Sequence, residues 1–146
     1  MINSILQDTK ILKIMDSQAA GVTTITSDII DMQGFSGLCF IIKLGTVVDA
    51  GVVLATVYQD TASAMGTEAA IDGTVGITET ATDSEQLLVL DIVKPQERYL
   101  RIKIARTTQN TDIDSVVAIL YNPIKKPVDQ PATIDASTQS VSPDET

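Results

Sequence analysis

The segment Tyr99-Leu100-Arg101-Ile102-Lys103-Ile104-Ala105-Arg106 alternates with a period of two. Leu100, Ile102 and Ile104 fall on one side of an extended backbone, and Arg101, Lys103 and Ala105 on the other. A half-buried antiparallel strand requires that pattern, and a helix would scatter the same residues around its axis. The reading predicts that Leu100, Ile102 and Ile104 are buried and that Arg101 and Lys103 are not.

Other segments read as strands as well. Leu87–Ile92 and Val116–Tyr121 are continuous apolar runs, which predicts central strands. Leu38–Leu44 and Val52–Gln59 flank the Gly-bounded stretch 45–51, which predicts a hairpin. The β-branched run Val22–Thr26 follows Gly21, and Ile11–Met15 fits a strand or a short helical face. Polar connections at 94–97 and 107–112 separate these runs, and Pro95 suits a turn because it has no amide hydrogen to donate. No segment offers 12 or more residues of helical period; Ala62–Ala70 is compatible with one short helix. Residues 60–84 read as a long surface excursion. The expected fold class is all-β: an antiparallel β-sandwich or jelly roll with long loops and an extended C-terminal arm.

A chain of 146 residues is one domain with room for a tail. The body is expected over residues 1–122, with a short N-terminal arm. Residues 123–146 contain Pro123, Pro127, Pro131 and Pro143 among Asp, Ser, Thr and Gln, a composition without a core of its own. All ten basic residues precede Pro127, after which Asp129, Asp135, Asp144 and Glu145 make the tail acidic. The isolated Ile124, Val128, Ile134 and Val141 are spaced as anchors of an arm lying along a partner, expected to order on binding. The other reading of this tail is simple disorder.

Composition removes much chemistry. Histidine is absent and Cys39 is the single cysteine. That excludes histidine-based triads, multi-cysteine metal centres and an intramolecular disulfide. Cys39 lies in an apolar run and is expected to be a small buried hydrophobe. Asn110, Asp112 and Asp114 alternate like the start of a calcium loop. Ser115 and Tyr121, however, stand where its glycine and bidentate glutamate belong. Asp28 and Asp31 form a carboxylate pair, but spacing alone does not make an acid and a base. No catalytic, cofactor-binding or metal-binding residue is expected, and the chain does not read as an enzyme. The net charge of −9 disfavours nucleic acid and anionic lipid. No run approaches the ~18–20 apolar residues of a membrane span, and the first residues lack the pattern of a secretory signal. Arg98, Arg101, Lys103 and Arg106 concentrate positive charge around one strand. They serve cross-strand pairing with the many acids or contact a partner. Lys125 and Lys126 form a basic pair at the junction of body and tail.

Several strings carry a resemblance. Ala19-Ala20-Gly21-Val22-Thr23-Thr24, Ser27-Asp28 and Asp31-Met32-Gln33-Gly34-Phe35-Ser36-Gly37 come first. Arg98-Tyr99-Leu100-Arg101, Arg106-Thr107-Thr108-Gln109-Asn110 and Ala118-Ile119-Leu120-Tyr121 follow. Together they resemble a group of small structural proteins of tailed bacteriophages, encoded among head genes, over roughly residues 8–127. The resemblance implies a virion protein on the outer capsid surface, made in the host bacterial cytoplasm. Its expected role is decoration or cement, with the major capsid protein as partner and a homo-oligomer (dimer or trimer) as its own state. It transfers no active site. A neck or tail structural protein, a carbohydrate-binding or adhesin-like sandwich, and a small hydrolase are the other readings open at this point.

Overall fold

The computed structural model describes residues 4–73, 75–78 and 81–140. After a single helical turn, α1 (Ile5–Asp8), the chain forms β1 (Lys10–Met15), β2 (Gln18–Gly21), β3 (Ile25–Thr26), β4 (Ile30–Asp31) and β5 (Phe35–Val47). It continues through β6 (Val52–Asp60), β7 (Ala69–Ala70), β8 (Val75–Thr78), β9 (Leu87–Val93), β10 (Tyr99–Thr107) and β11 (Thr111–Pro123). Every pairing between these strands is antiparallel. One sheet has the order β1-β11-β5-β9, with β2 also on β11. The other has the order β3-β10-β6-β7, with β4 on β10 and β8 on β6. The two pack into an all-β sandwich.

Alternation builds the core. Leu100, Ile102 and Ile104 of β10 are fully buried, as the period of two predicts, and Arg101 and Lys103 keep part of their surface in water. In the same core cluster, Leu38, Phe40, Ile42 and Leu44 of β5 stand beside Val116, Ala118 and Leu120 of β11 on the inner face of the other sheet. Phe40 is the largest of these buried side chains. The remaining volume is filled by Ile, Val, Leu, Ala and Met, so a chain poor in aromatics still closes its interior.

Several expectations need correction. Leu38–Leu44 and Val52–Gln59 are not a hairpin. β5 pairs with β11 and β9, and β6 pairs with β10 in the opposite sheet. Gly45 is a strand residue rather than a loop boundary. A Cβ there would stand 2.7 Å from Asp114 Oδ1 and 2.8 Å from Asp112 Cβ, so glycine leaves room for the side chains of β11. The chain crosses between sheets at a tight turn, where Gly51 N–H donates to Val48 O (3.0 Å) and Ala50 is left-handed (φ 66°).

Leu87–Ile92 is an edge strand, not a central one, because among the described residues only β5 pairs with it. Val116–Tyr121 is central as expected, between β1 and β5. Ile11–Met15 belongs to a strand, and only Ile25–Thr26 of the 22–26 run does. Within 60–84, Ala69–Ala70 and Val75–Thr78 pair with β6, so this stretch is partly sheet.

No helix forms over 62–70. The buried Asp60 carboxylate accepts from Ala62 N–H (2.9 Å) and from Thr67 N–H (2.8 Å) and Oγ1, which bends the segment into turns. An Asx carboxylate competing for backbone donors is a standard alternative to helix.

Candidate interaction surface

The two outward faces of the sandwich differ in chemistry. The face of the β10 sheet carries Arg101, Lys103, Thr56 and Tyr58 in adjacent register. Arg101 Nε donates to Glu68 Oε2 at 2.6 Å, and Lys103 Nζ pairs with the other oxygen of the same carboxylate. These hydrogen bonds, first that from Arg101, hold Glu68 below the usual carboxylate range. Lys103 also sits 4.5 Å above the Tyr58 ring, and Arg98 lies 5.1 Å from the Tyr99 centroid. Each of these rings therefore already carries a cation, which is poor preparation for stacking on a sugar.

Arg98 forms a two-pronged pair with Asp31, Nε to Oδ1 at 2.8 Å and Nη2 to Oδ2 at 2.9 Å. That pairing pulls the Asp31 carboxyl below its ordinary value. A carboxylate held ionised by an arginine in this way serves as an ion-pair partner.

The outward face of the β1-β11-β5-β9 sheet is apolar. Cross-strand register sets Ile11, Ile119, Cys39 and Asp91 in one row and Lys13, Val117, Ile41 and Val89 in the next. Tyr121, Gly37 and Val93 form a third row, and Ser115, Lys43 and Leu87 a fourth. Ile11, Cys39, Ile41, Val117 and Ile119 are half-buried, and none belongs to the core cluster. At the β9 end, Leu87 is 55% exposed, Val89 53% and Val93 66%. Cys39 is thus an outward residue of this face rather than part of the core. Partial burial, and then the nearby Asp91, raise its thiol pKa. Charges on the face are few: Asp91 accepts from the Tyr121 hydroxyl, Lys43 is held by Glu85 and Asp114, and Lys13 by Asp16.

The sequence-selected cations separate in space and in role. Arg98, Arg101 and Lys103 join the ion pairs above. Arg106 is no contact residue. It is 3% exposed and faces inward. Its Nη1 donates to Ala19 O and Thr111 O, both at 2.8 Å, and its Nε to Thr23 O at 3.0 Å. Nη2 donates to Thr23 Oγ1 at 3.1 Å. Gly21 makes room, since a Cβ there would stand 3.1 Å from Nη2. A guanidinium fits because its fork reaches several carbonyls at once.

The start of the C-terminal segment lies against the N-terminal one. Lys126 pairs with Asp8 at 3.0 Å, and Val128 N–H donates to Gln7 O at 3.0 Å. Ile124, Lys125 and Val128 line one groove of about 490 Å³ together with Phe35, Gln33 and Lys10. Ile124 is 89% exposed, while Val128 and Ile134 are half-buried. Val141 lies outside the described residues. Asp112 and Asp114 are strand residues of β11, and Asp114 pairs with Lys43. Among the described residues, no group of three or more His, Cys, Asp or Glu side chains is placed to hold a metal ion.

The signal for the apolar outer face lay in the continuous apolar runs. A strand apolar at every position has an apolar second face wherever it lies.

No protein-family model matches this sequence, and no curated protein matches it. Among solved structures, dimeric latent PorU from Porphyromonas gingivalis aligns with a TM-score of 0.47 at 9% identity, over 81% of this chain and 13% of that one. A family two carbohydrate esterase from Cellvibrio japonicus aligns with a TM-score of 0.37 at 9% identity, over 86% of this chain and 36% of that one. The chain therefore spans well under half the length of either protein.

Proposed function

We propose that this protein is a structural component of a tailed-phage virion, seated on the outer surface of the capsid as a decoration or cement protein. The observation that carries the reading is the asymmetry of the sandwich. One outward face is dressed with ion pairs, and the other presents aliphatic side chains at the positions where a free-standing antiparallel sheet is polar. Such a face suits a protein whose work is to be covered by a partner. The head-gene resemblance supports the shell as that partner, and the net charge of −9 favours its outside over the packaged genome. A ligand that binds only the assembled lattice stabilises it by mass action, repeated over every copy.

The experiment is add-back to heads prepared without the protein. Purified protein should bind them and raise their resistance to heat and to loss of divalent ions. Val117→Lys, on the apolar face, should bind far less while remaining folded. Failure to bind such heads overturns the reading, and location at the neck or tail tip replaces it with the other virion role.

A further inference from the structure

β9 has the sequence of a strand with neighbours on both sides, and among the described residues it has one. Leu87-Leu88-Val89-Leu90-Asp91-Ile92-Val93 is aliphatic at every position except Asp91. Leu88 and Ile92 are buried toward the core, while Leu87, Val89 and Val93 are more than half exposed. The strand keeps an unbroken register with β5 along its whole length, without a bulge. It contains no proline and no lysine. Bulges, proline and lysine are the usual guards of a free edge. Among the described residues no backbone group pairs with this edge.

The opposite end of the same sheet is treated differently. Gln130 Oε1 accepts from Ile11 N–H (3.0 Å), and its Nε2 donates to Leu6 O (2.9 Å) and Thr9 O (2.6 Å). The chain thus covers the β1 side with its own C-terminal segment, while among the described residues the outer side of β9 has no backbone partner.

We infer that β9 pairs antiparallel with β9 of a second copy, about a twofold axis through Leu90, to give one continuous sheet across two protomers. The strand is self-complementary in this register. Centring at Leu90 sets Leu87 against Val93 of the partner subunit, Leu88 against Ile92 of the partner subunit, and Val89 against Asp91 of the partner subunit. All positions of the strand are then paired. Centring at Asp91 would oppose two carboxylates directly, which is unfavourable, and any other centre leaves strand ends unpaired. The flanking charges agree with the same register. Lys94, which ends the strand in a left-handed conformation (φ 52°), falls opposite Gln86 of the partner subunit and next to Glu85 of the partner subunit. The dimer also joins two apolar faces into one of twice the width. This pairing concerns the isolated protein and does not rest on the virion reading.

Sedimentation of the purified protein over ~1 µM to ~1 mM, where small interfaces dissociate, tests it. The expected result is a reversible monomer–dimer equilibrium. Val89→Glu, which opposes carboxylates across the axis, should shift that equilibrium toward monomer at least tenfold. Leu54→Glu, on the exposed face of the other sheet, should leave it unchanged. In a Cys39→Ser background, Leu87→Cys with Val93→Cys should give a covalent dimer on oxidation, and neither single variant should. These positions are exposed, so the fold is expected to survive, and circular dichroism checks that it does. A protein that stays monomeric and does not cross-link overturns the inference. So does a trimer, or a dimer indifferent to Val89→Glu. A dimer that fails to bind heads would leave this pairing intact and remove only the virion role.

Discussion

The Tyr121 hydroxyl donates a 2.7 Å hydrogen bond to Oδ1 of Asp91, and it reaches that carboxylate by lying over Gly37. A Cβ at Gly37 would stand 2.1 Å from Cε2 and Cζ of the ring. One tyrosine of β11 thereby ties the edge strand β9 across β5. Partial burial, and then the bond to Asp91, push the Tyr121 phenol up to about 12.

Gly37→Ala should displace the ring and break that tie. The expected loss of stability is ~1–2 kcal/mol, an overpacking cost plus one hydrogen bond. Tyr121→Ser removes the obstacle, so the double variant should lose less than the sum of the two single losses. Urea unfolding of the four proteins measures this, and a neutral Gly37→Ala would contradict the geometry.

Arg106→Met should be the most damaging of the cation substitutions. Ala19 O, Thr23 O and Thr111 O would lose the guanidinium they now share, and Thr111 is a fully buried residue, for a loss of roughly 1–3 kcal/mol. Arg106→Lys should recover little, because an ammonium does not reproduce the fork. Thermal unfolding separates these variants from Arg98→Met, whose solvent-exposed pair with Asp31 should contribute little.

Acid should weaken the fold through specific carboxylates. Asp60 is held low first by the Ala62 amide, Glu68 first by Arg101, and Asp31 first by Arg98. Each has a folded pKa below its unfolded one, so the unfolded chain takes up protons first as pH falls. Their stabilisation is complete above the unfolded carboxylate range of ~4 and is lost as pH drops through the lowered folded values. Unfolding free energy measured from neutral pH downward should decline on entering that window. Asp60→Asn and Glu68→Gln should each make the decline shallower, and an unchanged slope would contradict these assignments.

Much of the sandwich was legible in particular residues. The period of two in Tyr99–Arg106 placed Leu100, Ile102 and Ile104 correctly. Carried one step further, it also places Arg106 on the inner face beside them. That inference is easily missed, because a charged residue is rarely buried without a partner of opposite sign. Here the compensation comes from backbone carbonyls of β2, the segment after it and β11, which no local pattern reveals. The apolar outer face was present in the runs Leu38–Ile42, Leu87–Ile92 and Val116–Tyr121. What those runs could not say is which of them has only one neighbour.

The sequence by itself determined that the chain is built of strands, which side chains of β10 turn inward, and that histidine and paired-cysteine chemistry is absent. Tertiary structure alone decided that β5 lies between β9 and β11 rather than beside β6, that β9 stands at an edge, and that Asp60 folds the following segment into turns. The physical reason is the range of the signal. Alternation is a local property that fixes the face a residue occupies. Strand neighbours are chosen by the fit of whole faces in a shared core, and loop-closure entropy grows too slowly with length to favour the nearest segment.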